Sequence, residues 1–113
     1  MLVFGGFTPK GKTNQLYIYR FGKKQWRLFA SWKEKPCARS GHSACLYESS
    51  MYVFGGSDSE NRKLNDMWKF DVISEIWEKV SYDSEEVPRE RSGHSCDLFG
   101  HFLVIFGGFY DLT

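Results

Sequence analysis

Arg39-Ser40-Gly41-His42-Ser43 and Arg91-Ser92-Gly93-His94-Ser95 each gather a guanidinium, two hydroxyls and an imidazole within five residues. A guanidinium can form two parallel hydrogen bonds to a carboxylate, which is the chemistry Arg39 and Arg91 offer. One expectation is that each pairs with an Asp or Glu in a neighbouring loop. Ser40 and Ser92 can donate to a bound peptide or, equally, cap a turn. His42 and His94 invite a metal hypothesis, but no Cys or His pair has the spacing of a short zinc loop. Cys37 lies near His42 and Cys45 yet has no counterpart in the second copy. No metal is therefore expected, and the two imidazoles are expected to hydrogen-bond within or between repeat units. Cys45 and Cys96 read as small buried residues, the common fate of an unpaired cysteine.

Nucleophilic catalysis finds little support. His42 and Ser43 are neighbours on an expected strand, where their side chains point to opposite faces. No Gly-x-Ser-x-Gly elbow occurs. Gly11-Lys12-Thr13 imitates the end of a phosphate-cradling loop, but the step from Gly6 to Gly11 is one residue short and no helical pattern follows. No cofactor is expected.

The elements that position these residues come from an internal repeat. Phe4-Gly5-Gly6 recurs at 54–56 and 106–108, offset by 50 and then 52 residues, and the Arg-Ser-Gly-His-Ser run is itself offset by 52. Between them Asn14, Leu16, Tyr17, Tyr19 and Trp26 fall opposite Asn65, Met67, Trp68, Phe70 and Trp77 at an offset of 51, and Pro36 falls opposite Pro88 at 52. The intervening segments 42–47, 51–54, 67–72 and 101–106 are short, aromatic-rich and bounded by turn formers, which predicts strands. Four strands fit each repeat. The first starts at Gly41-His42, the second ends in the double glycine, the third carries paired aromatics, and the fourth begins near Trp77. Weak alternation of apolar and polar residues suits sheets covered on both faces. The tryptophan seven residues after the Tyr or Phe is expected in the seam between units. Asp71, Ser74 and Glu75 are expected in the hairpin joining third and fourth strands.

This combination resembles the kelch repeat, and the resemblance covers essentially the whole chain. It implies an all-β fold: a kelch-type β-propeller segment of about two blade-equivalents, each a four-stranded antiparallel sheet, belonging to a larger ring about a central channel. The boundaries expected are 1–38 for a blade lacking its first strand, 39–90 for a complete blade plus linker, and 91–113 for the first half of a third. About nine strands result. A closed ring needs more blades, because bare sheet edges invite pairing. The missing blades come either from a longer chain or from self-association of copies, and a third arrangement is an open stack shielded by another partner.

The resemblance further implies binding of another protein through loops at one end of the ring. In kelch propellers that take acidic peptides, arginines at the position of Arg39 and Arg91 point into the pocket at the channel mouth. The post-glycine loops differ most between repeats, so Asp58, Glu60 and Arg62 are either solvated or contact the partner. The rival function is a kelch-fold enzyme, such as a copper-radical oxidase or a sugar epimerase, and a purely structural scaffold is a third.

Bulk properties agree with a binding module. The chain has 113 residues, 42 % hydrophobic and 18 % aromatic, which argues for a packed domain. Fifteen basic and fourteen acidic residues leave a net charge of +1 with no basic stripe, so neither nucleic acid nor an anionic membrane is an expected partner. The longest apolar run, 102–106, is too short to cross a bilayer. With three cysteines and no leader pattern, a reducing, cytoplasmic setting is the expectation.

Overall fold

The computed structural model describes residues 1–30 and 33–110. Positions 31, 32 and 111–113, which fall inside the expected boundaries above, lie outside the described residues. Every regular element described is a strand. They are β1 (Leu2–Phe4), β2 (Phe7–Thr8), β3 (Gly11–Lys12), β4 (Leu16–Arg20), β5 (Gln25–Phe29), β6 (Ser43–Tyr47), β7 (Ser50–Ser57), β8 (Lys63–Asp71), β9 (Ile76–Lys79), β10 (Ser95–Phe99) and β11 (Phe102–Phe106). The two strands beyond the expected nine, β2 and β3, form a small ribbon inside a post-glycine loop.

β6-β7-β8-β9 make one antiparallel four-stranded sheet in sequence order. β1-β4-β5 make a three-stranded sheet, and β10-β11 a hairpin whose β10 runs alongside β6. The turn between third and fourth strands repeats in detail. Lys24 and Glu75, at the 51-residue offset, both take positive φ (52° and 60°). In the second turn the Ile73 and Ser74 amides donate to Asp71 Oδ1 at 2.8 and 3.2 Å, which closes it without a proline.

The core lies between the first two sheets. Phe4 and Leu16, with Leu2 and Phe29 beside them, pack against Met51, Val53, Trp68, Phe70 and Trp77. Trp77 sits 5.0 Å from Phe4 and 5.2 Å from Phe70, ring centre to ring centre, so it bridges the two blades as its spacing predicted.

One expectation about the double glycine is refined. β7 does not end there but runs on to Ser57, because a bulge at Gly55 lets pairing resume at Gly56↔Leu64 and Ser57↔Lys63. Gly55 has φ +67°, and a Cβ there would lie 2.9 Å from both the Arg91 carbonyl oxygen and His94 Cε1. Gly6 also has positive φ (+105°), but a Cβ there would meet nothing. Alanine at either position should carry the left-handed strain, about 1–3 kcal/mol. Gly55→Ala should then cost clearly more than Gly6→Ala in urea unfolding, the difference measuring the close approach of the next blade. Equal losses would mean that the approach contributes nothing.

Candidate protein-binding face

Antiparallel pairing places the segments before β6 and β10 and the loops after each double glycine at one end of the stack. The β6–β7 and β8–β9 turns lie at the other. All seven residues singled out from the sequence, Arg39, Ser40, Asp58, Glu60, Arg62, Arg91 and Ser92, therefore belong to the same end. What each does there differs.

Arg39 is fully buried, at 0 % exposure. Its Nε–H donates to the Cys37 carbonyl at 3.2 Å. One terminal nitrogen donates to the Gly55 carbonyl at 3.1 Å and Asp66 Oδ1 at 2.7 Å, the other to Cys37 Sγ at 3.3 Å and Asp66 Oδ2 at 2.9 Å. A guanidinium carries five donors, and all five are taken. The expectation that Arg39 reaches a partner meets this obstacle, and the competing expectation of a local acidic partner describes what is seen. Burial by itself would raise the Asp66 pKa. The Arg39 hydrogen bonds and charge outweigh it, aided by the Trp68 indole N–H at 2.9 Å, and hold the carboxyl below its usual value.

Arg91 repeats half of this arrangement. Its Nε–H donates to the Arg89 carbonyl at 3.0 Å and a terminal nitrogen to the Gly107 carbonyl at 3.1 Å. Both contacts match those of Arg39 by sequence offset. Its side chain stays partly exposed.

The backbone of the motif forms the joint between blades. The Arg39 N–H donates to the Thr13 carbonyl at 3.2 Å, and its own carbonyl accepts from Gly6 N–H at 2.8 Å. Arg91 does the same with Leu64 at 3.1 Å and Gly56 at 2.9 Å. His42 Nε2–H donates to the Phe4 carbonyl at 2.8 Å, and His94 Nε2–H to that of Phe54 at 3.0 Å. The carbonyl can only accept, so the proton sits on Nε2, and among the described residues Nδ1 of each ring is buried without a partner. Asn14 and Asn65 donate to the Pro36 and Pro88 carbonyls, both at 3.1 Å, so these paired landmarks also serve the connection.

These imidazoles make the joint acid-sensitive. Burial is the largest influence and pushes both pKa values below 6.5; the carbonyl contact opposes it, while nearby arginine charge reinforces it. The unfolded chain thus takes up protons at a pH where the folded one does not. Their contribution to stability is complete above about pH 6.5 and is lost as pH falls below it, by up to about 1.4 kcal/mol per pH unit for each histidine. Urea unfolding between pH 7.5 and 5 should show this slope, and His94→Gln should flatten it.

Asp58 is buried and organises its own loop. Its Oδ1 accepts from the Glu60 and Arg62 amides at 2.9 and 3.0 Å, and Oδ2 from Arg62 Nε at 3.0 Å. Glu60 and Arg62 stay exposed, 3.7 Å apart. Lys12, of the phosphate-loop imitation, places its ammonium among the Ser57 carbonyl and hydroxyl, the Asp58 carbonyl and Asn61 Oδ1, at 2.8–3.4 Å, so it ties the ribbon of one blade to the loop of the next. Ser40 is half-buried and Ser92 buried, joined to Ser57 and Phe109 by backbone bridges.

Sequence reasoning passed over the aromatic corner beside Arg91. Phe109 is 63 % exposed, with Lys63 Nζ 5.1 Å from its ring centre, and Arg89 lies 4.6 Å over the Tyr110 ring. Phe109 and Tyr110 directly follow the third double glycine, a position shared by the exposed Phe7, and that recurrence was the available signal. At the opposite end Tyr47 OH and His101 Nδ1 share a hydrogen bond at 2.5 Å. Among the described residues no three His, Cys, Asp or Glu side chains converge in a metal-ligating group, and no helix is long and apolar enough to cross a membrane.

Antiparallel sheets stacked blade on blade, with inner strands side by side and an Arg-His joint gripping a double glycine, define a segment of a β-propeller. The chain belongs to the kelch-repeat family: the KLHDC2/KLHL20/DRC7 Kelch-repeats domain matches residues 1–112. Relatives include dynein regulatory complex subunit 7 of Chlamydomonas reinhardtii, 33 % identical over 96 % of this chain and 10 % of its own length. Kelch domain-containing protein 3 of Homo sapiens is 31 % identical over 96 % of this chain and 28 % of its own. The tRNA wybutosine-synthesizing protein 2/3/4 of Arabidopsis thaliana is 32 % identical over 96 % and 11 %. The chain thus spans between a tenth and under a third of the relatives it matches. Kelch repeats suggest a protein-interaction module. A synthesizing protein among the relatives means that membership alone does not separate binding from catalysis, so the residues must carry that argument.

Proposed function

We propose that this chain is a noncatalytic protein-binding segment, an adaptor or scaffold surface, that takes an acidic peptide at the loop end beside Arg91. The observation that carries this is the corner of Arg91, Arg89, Lys63, Phe109 and Tyr110. Exposed rings with cations stacked on them are the composition of binding hot spots, and Arg91 adds a partly exposed guanidinium beside them. A peptide carboxylate would pair with the exposed part of the Arg91 guanidinium. Glu60 and Arg62 border this corner through Lys63. The enzyme reading has no comparable support, because the histidines are engaged in the joint between blades. A reducing, cytoplasmic setting accords with three unpaired thiols.

The test is a Glu- and Asp-rich peptide library displayed with free and amidated C-termini, probed with the full chain. Arg91→Ala should weaken captured peptides about 10-fold to 100-fold, the worth of a hydrogen-bonded charge. Phe109→Ala should weaken the same peptides. If the wild type captures nothing, or both variants keep its affinity, the reading is lost.

A further inference from the structure

Cys45 and Cys96 lie on β6 and β10, the adjacent strands of two successive blades, 51 residues apart and so one residue out of the 52-residue register that matches Ser43 to Ser95. The Cys96 thiol donates to Cys45 Sγ at 3.1 Å, and the Cys45 thiol donates to the Cys96 carbonyl at 3.2 Å. Two thiols in hydrogen-bond contact across a joint are closer than packing alone requires, and only about 1 Å of approach separates them from a bond. Neither is fully enclosed: Cys45 lines an open apolar groove with Leu2, Ile18, Met51 and Val72.

We propose that Cys45 and Cys96 form a dithiol modification site, whose co-reactant is a hydroperoxide and whose product is a disulfide between two blades. Cys45 is the attacking sulfur, because it accepts the hydrogen bond that stabilises negative charge. Burial, first, and the contact with Cys45 push the Cys96 thiol up to about 12, so it keeps its proton until the second step. The Cys45 thiolate attacks the terminal oxygen of the hydroperoxide. The O–O bond breaks, Cys45 becomes a sulfenic acid, and the alkoxide or hydroxide leaves with the proton that Cys45 gave up. Cys96 then attacks the sulfenic sulfur, the S–O bond breaks, and the departing hydroxide takes the Cys96 proton as water. Two thiols lose two electrons, and the hydroperoxide is reduced to one alcohol (or water) and one water.

The bond would fasten the β10–β11 hairpin to the sheet β6–β9, and its loop of about fifty residues removes much freedom from the unfolded chain. Nothing here rests on the acidic-peptide reading, and loss of either leaves the other standing.

The full chain is treated with one equivalent of hydrogen peroxide and measured as intact mass under denaturing, non-reducing conditions, then digested. The expected result is loss of two hydrogens, a Cys45–Cys96 crosslinked peptide, and a Tm raised by about 10 °C that dithiothreitol reverses. Cys37→Ser should behave as wild type, and Cys45→Ser or Cys96→Ser should not crosslink. Should those variants fail to fold, peptide mapping of the oxidised wild type decides the matter alone. Sulfinic acid at a single cysteine, a bond involving Cys37, or no mass change would each overturn the proposal.

Discussion

Replacing Asp66 with alanine is expected to lower the unfolding free energy by about 3–5 kcal/mol, the range for leaving one partner of a buried ion pair uncompensated. The guanidinium left behind would be Arg39, fully buried and donating to Asp66 through two hydrogen bonds. The guanidinium itself is fully buried, with its other donors fixed on the Cys37 segment and the Gly55 carbonyl, so it cannot turn out to water for new acceptors. Arg39→Ala should cost less per charge removed, since the Asp66 side chain is 21 % exposed and can recover solvent. It also releases the contacts to Cys37 and Gly55, so a loss of about 2–4 kcal/mol is expected. The double variant should be markedly less unstable than the sum of the two. Urea unfolding of all four proteins gives this cycle, and additive losses would show that the pair is not a unit. The same residue type at 91 should behave differently. The Arg91 side chain is partly exposed where Arg39 is fully buried, so Arg91→Ala should cost stability less and peptide binding much.

That contrast shows what could be read from the residues alone and what could not. The repeat, the strand content and the seam tryptophan were legible, because periodic landmarks are local and survive translation along the chain. Asp66 as the partner of Arg39 was not. It stands 27 residues away on the third strand, and its counterpart one repeat earlier is Gln15, so no repeated pattern announced it. His42 and His94 looked like candidates for chemistry, and an expected structural role was stated for them. Which carbonyl they reach, Phe4 or Phe54 of the preceding blade, required the stacking of sheets. In the corner of Phe109, Tyr110, Lys63 and Arg89 the recurring aromatic was legible, but the cations on the rings were not, since they reach them from different loops. Residues that repeat most strictly here build the joint between blades. A binding surface is better sought where successive copies differ, as Ser57 differs from Phe7 and Phe109 after the double glycine.

Trp77→Ala should remove about 3–5 kcal/mol, the usual loss for a large buried ring, while Trp26→Ala should remove less than about 1 kcal/mol. The two tryptophans are motif equivalents, 51 residues apart, and each stacks on the aromatic seven residues earlier: Trp77 on Phe70 at 5.2 Å, Trp26 on Tyr19 at 5.0 Å. Only the next sheet distinguishes them. Trp77 is also covered by Phe4 from the first sheet and is 7 % exposed, whereas Trp26 is 53 % exposed. If stability resided in each blade separately, both substitutions would lose the same intrablade stacking and match closely. If it resides in the contacts between blades, as in other repeat architectures, the ratio should be large. Urea midpoints of the two variants measure this directly, and near-equal losses would place the stability within blades. A large ratio would mean that each blade depends on a neighbour to cover its seam, and that Trp26 has the chemistry to pack against one in the same way.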